Sequence, residues 1–364
     1  MKVLFLIDCL DNGGAERQMA LLATHLPAEW GRSVCALDRG PFEDYLHEKS
    51  VALEVYPRTH SLDPRPIASV WRSLRTLRPD IVHSWSWIST MVAGPMCRLV
   101  GVPLIDGTIR TGALQRDHLA LKRLGMASSS MIVANTHAGL QAWGVGSTKG
   151  RVVHNGFDWS RLDSSAHDGD SETAAEGRVD AIMTIVMIGR MVPARDFRVV
   201  IAAARLLREA GGRYRFLLVG HGPQRNELMA EAADLVPDGA VTFPDPGIEV
   251  IRHVRSADVG VLMTDPRWAQ EGCSNAIMEY MACGLPVLCG ASGGNREIVD
   301  DGHTGFLIPS ADARALAQRL EYLREHREQC RAMGIAGQRR IESHFSIERM
   351  VGRYLRIYAE SLGR

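Results

Sequence analysis

The chain alternates short, continuous apolar runs with longer stretches in which apolar residues recur at helical spacing. Residues 3–7 are one such run. A glycine-bearing loop at 8–14 follows, and then Ala15, Met19, Leu22, Ala23 and Leu26 fall on one helical face. The same order returns in the middle of the chain: an apolar run at 182–188, a loop at 189–195, and Val199, Val200, Ala203 and Leu207 at helical spacing. Strand, loop and helix thus begin twice, about half a chain apart.

Further apolar strands are predicted at 33–37, 51–55, 81–83, 104–105 and 131–134 in the first half. In the second half they fall at 216–219, 241–243, 259–263, 287–289 and 305–308. Continuous apolar strands separated by helices predict parallel sheets covered on both faces. The fold class is therefore α/β with two Rossmann-like domains facing a cleft, and ligands of such sheets bind at the carboxyl ends of the strands. The boundaries expected are 1–163, a polar connector at 164–180, 181–344, and a final helix at 345–364. That helix carries Ile347, Met350, Val351, Tyr354, Leu355, Tyr358 and Leu362 on one face, which requires something to cover. As an isolated pattern, 66–79 is a basic amphipathic helix. It fits either packing on the sheet with its arginines in water, the reading preferred, or lying on an anionic membrane surface.

Length supports two domains: 364 residues exceed one comfortable core. Forty-two basic residues, only four of them lysines, balance 42 acidic ones, which argues against a general nucleic-acid binder. No apolar run reaches the length of a membrane span, and the first eight residues lack a secretory pattern. Seven cysteines without a C-x-x-C pair, and histidines without H-E-x-x-H, predict reduced thiols, no metal and a cytoplasmic chain. Gly220-x-Gly222-x-x-Arg225 lacks the third glycine of a dinucleotide fingerprint, and Asp168-Gly169-Asp170 reads as connector acid.

The densest chemical signal runs from Glu271 to Pro286. Ser274 or Asn275 can cap a helix that Gly284 and Pro286 terminate, with Glu271 in the loop before it and Glu279 one turn inside. A helix N-terminus favours a diphosphate, and two flanking carboxylates suit sugar hydroxyls. A capped surface helix with incidental acids fits the spacing equally well.

This stretch, E-x7-E before A-C-G-L-P-V, resembles the signature of retaining GT-B glycosyltransferases of family 4. The resemblance extends to Gly13-Gly14-Ala15-Glu16-Arg17 and Asn155-Gly156-Phe157-Asp158. It includes Gly189 to Asp196, Gly220-His221-Gly222-Pro223, and Gly293-Gly294-Asn295-Arg296-Glu297-Ile298-Val299 with the glycines at 302 and 305. It implies a GT-B enzyme that moves a sugar from a nucleotide diphosphate-sugar to a glycan or lipid-linked acceptor, without a cofactor and with the donor on the second domain. Peripheral attachment to the inner membrane face is compatible with it. Arg190, Arg195 and Glu271 would be catalytic, with Arg195 standing where a lysine is usual. Gly13, Gly14, Gly189, Gly220, Gly222, Cys273, Ser274, Asn275, Ala276 and Glu279 would bind the donor, Glu279 at its ribose. Glu16, Arg110 and His118 are candidate sugar or acceptor contacts. Arg110 occupies the place of a histidine usual in the family, while His118 lies on a helical stretch. A nucleotide-sugar epimerase of the same architecture, or a binding subunit without activity, remain open alternatives.

Overall fold

The computed structural model describes residues 1–57, 63, 65–163, 182–245 and 250–363, and resolves into two compact units. The first comprises Met1–Gly156 and Phe345–Arg364, the second Phe157–His344. The predicted connector at 164–180 lies outside the described residues.

The first unit runs β1 (Lys2–Ile7), α1 (Gly14–His25), β2 (Gly31–Ala36), α2 (Phe42–Glu48), β3 (Ala52–Val55), α3 (Arg65–Leu77), β4 (Ile81–Ser84), α4 (Trp87–Val100), β5 (Leu104–Ile109), α5 (Leu119–Ser128), β6 (Met131–Ala134), α6 (His137–Ala142) and β7 (Gly150–Val152). The strands form one parallel sheet in the order β3-β2-β1-β4-β5-β6-β7. Every residue of β4 and β6 is buried, which is why these strands read as unbroken apolar runs rather than alternating ones.

The second unit runs α7 (Ser160–Asp163), β8 (Met183–Ile188), α8 (Phe197–Glu209), β9 (Tyr214–Val219), α9 (Arg225–Glu231), β10 (Val241–Thr242), α10 (Val250–Arg255), β11 (Val259–Leu262), α11 (Asn275–Ala282), β12 (Val287–Gly290), α12 (Asn295–Ile298), β13 (Gly305–Ile308), α13 (Ala313–Glu325) and α14 (Arg327–His344). Its parallel sheet has the order β10-β9-β8-β11-β12-β13. In both sheets the chain leaves the first strand to one side and returns on the other, at β1/β4 and at β8/β11. These are the switch points at whose carboxyl ends such sheets bind ligands.

The last helix, α15 (Ile347–Ser361), belongs to the first unit. Ile347, Met350, Val351, Tyr354, Ile357 and Tyr358 are buried against β1, α1 and β4, among Phe5, Ile7, Met19 and Leu22. At roughly 25 cal/mol per Å² of apolar surface, two buried tyrosines and four aliphatic or thioether side chains anchor the helix firmly. On the opposite sheet face, α3 buries Val70 and Leu74 while Arg72, Arg75 and Arg78 face solvent. Ile67, which shares the helical spacing of Val70 and Leu74, is nonetheless 51% exposed.

Candidate active site

In the second unit, the loop between β8 and α8 carries Gly189, Arg190 and Arg195. Its backbone is fixed from both sides. The amide of Met191 donates to the His221 carbonyl at 2.8 Å, and that of Gln224 to the Met191 carbonyl at 3.1 Å. On the other flank the amide of Asp196 donates to the Met263 carbonyl and that of Asp265 to the Ala194 carbonyl, both at 3.1 Å. Gly220 and Gly222 allow the β9 loop to lie against this backbone. A Cβ at either would overlap the carbonyl oxygen of Gly189 or of Met191.

The loop is tied to the sheet by a buried hydroxyl. Tyr280, wholly buried on α11, accepts the Ile188 amide at 2.7 Å, one residue before Gly189. Burial pushes the Tyr280 phenol above its ordinary value, so it stays a neutral partner here.

Arg195 is then aimed at the turn after β11. Its guanidinium pairs with the Glu271 carboxylate and donates to the Thr264 hydroxyl at 3.2 Å, and that hydroxyl donates to the same Glu271 oxygen at 2.9 Å. Glu271 is held through its main chain as well: its carbonyl accepts the Gly294 amide at 2.8 Å. Gly293, at φ +58°, lets this approach happen, because a Cβ there would overlap the Glu271 carbonyl oxygen. Four separate sequence motifs, at 189–196, 220–222, 271 and 293–294, therefore meet at the carboxyl ends of β8, β9, β11 and β12. Arg190 projects into solvent from the same loop.

Ser274 caps α11, its hydroxyl accepting the Ile277 amide at 3.5 Å, and Cys273 and Ser274 are both buried. Asn275 and Ala276 supply the first helical turn, so its positive end faces the Glu271 loop. Glu279, one turn further, is 6% exposed and forms an ion pair with Arg161 of α7. Sequence reasoning did not find Arg161, because it lies 118 residues away and carries no motif.

The candidates of the first unit are dispersed. Gly13 precedes α1, and Glu16 folds back over it while accepting the Cys9 thiol at 3.4 Å. Arg110 lies just beyond β5, with its guanidinium 3.9 Å from the centre of the Trp85 ring. Its Nε donates to the Gly107 carbonyl at 2.8 Å and another nitrogen to the Tyr354 hydroxyl at 3.4 Å. His118 is not on a helix. It stands just before α5 at φ +50°, stacked on Trp87 at 5.0 Å and 16°, because the left-handed backbone at 118 stops the helix from extending back to it.

His83 is a further candidate that no motif marks. It is fully buried in β4, its Nδ1 is 2.7 Å from the Tyr358 hydroxyl, and its Nε2 has no hydrogen-bond partner among the described residues. Burial and the Arg110 charge hold its pKa well below the usual histidine value. Among the described residues no cluster of three or more His, Cys, Asp or Glu could hold a metal ion, and no helix is long and apolar enough to cross a membrane. Asp168-Gly169-Asp170 lies outside the described residues.

Residues 12–161 match the family Glycosyltransferase Family 4, and residues 183–326 match Glycosyl transferases group 1. The chain belongs to the family 4, group 1 glycosyltransferases. The GDP-mannose-dependent alpha-(1-6)-phosphatidylinositol monomannoside mannosyltransferase of Mycolicibacterium smegmatis is 33% identical over 158 residues, 42% of this chain and 41% of the relative. The D-inositol 3-phosphate glycosyltransferase of Nocardia farcinica is 29% identical over 345 residues, 86% of this chain and 73% of the relative. The first curated relatives are matched over 35–41% of their own length. Among solved structures, HepE from Anabaena in complex with UDP has a TM-score of 0.82 at 20% identity, covering 99% of this chain and 100% of that one. The two parallel sheets are those of the GT-B fold.

Proposed function

We propose that the protein is a retaining glycosyltransferase that moves a sugar from a nucleotide diphosphate-sugar to a glycan or lipid-linked acceptor. The observation that carries this reading is the Arg195–Glu271–Thr264 constellation at the carboxyl end of β8 and β11, beside the capped N-terminus of α11. Two arginines and a helix N-terminus provide donors and positive charge for a diphosphate. A carboxylate held in place by its own main chain provides an acceptor for sugar hydroxyls. Names of the relatives are consistent with such a donor: one is GDP-mannose-dependent, and HepE was solved with UDP.

Arg190 and Arg195 stabilise the negative charge that grows on the diphosphate as the glycosidic bond breaks. Each such preorganised donor is worth about 10²–10³ in rate. Thr264 and Glu271 keep the Arg195 fork oriented before the donor arrives, so little reorganisation is needed at the moment of reaction. Glu271 and the amides at 273–276 position the sugar, and Glu279, steered by Arg161, receives the ribose hydroxyls. The acceptor attacks from the face the leaving group departs, which retains the anomeric configuration and needs no protein nucleophile.

The test is a thermal-shift panel of UDP-, GDP- and ADP-sugars followed by product analysis with the best donor. One nucleotide should raise the melting temperature through mass action. Turnover should release the nucleoside diphosphate and leave the transferred sugar in the axial or equatorial configuration it had in the donor. No response to any of the three nucleotides would sink the proposal.

A further inference from the structure

The second unit carries a cleft of about 230 Å³ lined on one side by Arg195 and otherwise by residues to which the donor chemistry gives no role. Its mouth is formed by the turn after β11, where Trp268 is 67% exposed, an unusual position for an indole. The ring stands on a rigid base. The Asp265 carbonyl accepts the amides of Trp268 at 3.0 Å and Ala269 at 3.1 Å, and the Asp265 carboxylate takes the Arg267 guanidinium at 2.6–3.0 Å. Leu228, fully buried, supplies an apolar floor.

Away from Arg195, the cleft carries more carboxylate than guanidinium. Arg267 is paired with Asp265, Arg198 with Glu227 and Glu231, and Asp196 adds a further carboxylate. An anion would find no unmatched guanidinium in that part of the cleft. Two neutral-ligand contacts are nonetheless open: Oδ1 of Asp196 caps α8 at 3.2 Å from the Val199 amide, while its Oδ2 has no hydrogen-bond partner among the described residues. The side-chain amide of Gln224 likewise has none among the described residues and lines the same cleft. An acceptor oxygen and an amide around a flat, exposed aromatic ring suit a polyhydroxylated ring with an apolar face. The volume lies below the ~300–1,000 Å³ of pockets that enclose whole ligands. A cleft of this size takes about one sugar unit.

We infer that this cleft is a subsite for a single uncharged pyranose ring, stacked through its C–H face on Trp268 with hydroxyls on Asp196 and Gln224. It rests on the transferase reading and adds a place where a sugar of the acceptor glycan is held beside the donor site. The subsite ties acceptor choice to the second unit, through a residue that no family motif marks.

The full chain is labelled with ¹⁵N at tryptophan, and the Trp268 indole signal is identified by its loss in Trp268→Phe. Methyl α-D-glucopyranoside, methyl α-D-mannopyranoside and methyl α-D-galactopyranoside are then titrated separately to about 100 mM, enough to fill millimolar sites. At least one should shift the Trp268 indole saturably, leaving most of the other tryptophans of the chain unmoved. Trp268→Ala should weaken that glycoside at least about tenfold by saturation-transfer measurement, and Gln224→Ala about threefold. A silent Trp268 with all three glycosides overturns the inference. So does equal affinity in Trp268→Ala, or a larger Trp268 shift with inorganic phosphate than with any glycoside. A UDP-sugar thermal shift beside a silent Trp268 removes the subsite alone; glycoside binding without any nucleotide response removes the transferase reading alone.

Discussion

Removing either partner of the Arg195–Glu271 pair strands the other, and the structure sets the size of the effect. The Arg195 side chain is 26% exposed and that of Glu271 11% exposed, so the pair lies between a surface and a buried one. Exposed pairs contribute about 0–1 kcal/mol, whereas breaking a buried pair costs about 3–5 kcal/mol. With a quarter of the arginine in water, Arg195→Ala and Glu271→Ala should each cost about 1–2 kcal/mol of stability. The double substitution leaves no stranded charge. It should therefore cost about 1 kcal/mol less than the sum of the singles. Urea denaturation of the four proteins measures this cycle, with unchanged m-values showing that the folded states are comparable. Turnover behaves differently: each single variant should lose about 10²–10³ in kcat with the preferred donor, Arg195→Ala because charge stabilisation in the transition state is lost and Glu271→Ala because the sugar and the Arg195 fork lose their positioning. The free energies are too small to unfold a domain of this size. Costs that add to within about 0.5 kcal/mol would refute the coupling, and near-normal turnover in either purified variant would refute the catalytic assignment.

Two further predictions concern how the site is supported. Tyr280→Phe removes the hydroxyl that meets the Ile188 amide at 2.7 Å, leaving a part-buried donor unmatched among the described residues. It should cost about 1–3 kcal/mol in urea denaturation, and an unchanged midpoint would show that the tether to the Gly189 loop is unimportant. His83 is buried with its pKa well below the usual 6.5, so the unfolded chain binds a proton there that the folded chain refuses. Stability is complete above about pH 6.5 and falls as the pH drops below it, by up to about 1.4 kcal/mol per pH unit from this one group. His83→Gln should flatten the slope between pH 6.5 and the acid transition. An equal slope in the two proteins overturns the assignment of that proton to His83.

The parallel α/β architecture was legible because the central strands are buried on both faces and so are written as unbroken apolar runs. What was not legible follows from the same rule. The 150–152 strand, Gly-Arg-Val, is three residues long at the sheet edge, with one buried position, and has no apolar run to read. The strand beginning at Leu104 was expected to end at 105, yet it continues to Ile109 through Asp106, Gly107 and Thr108. The polar residues there are buried or half-buried in the strand rather than placed in a loop, so they break the apolar run without ending the strand. Gly107 is a glycine because a Cβ would stand 2.8 Å from the His83 Nε2. The helix beginning at Asn275 was readable to within one residue at its cap: of Ser274 and Asn275 it is Ser274 that accepts from the third amide beyond it, and Gly284 follows the helix end at φ +76°.

The two halves of the candidate site differ in how far they show in sequence, and the difference is physical. In the second unit, specificity of placement is achieved by main chain against main chain. Carbonyls of Gly189, Met191 and Glu271 lie where a side chain on Gly220, Gly222 or Gly293 would intrude, so each contact forces a glycine and leaves a local mark. In the first unit the corresponding strand ends are organised by side chains from distant segments. Arg110 meets Tyr354 across 244 residues, and His83 meets Tyr358 across 275. A hydrogen bond between two side chains constrains neither neighbour's local sequence, so no spacing announces it. The main-chain contacts of the second unit can therefore be read from its motifs, whereas the side-chain contacts of the first are set by long-range packing that only the fold brings together. That is why Arg110 could be placed by resemblance, while its partners Trp85, just after β4, and Tyr354, on the last helix, and the exposed Trp268 of the second unit, had to be found in three dimensions.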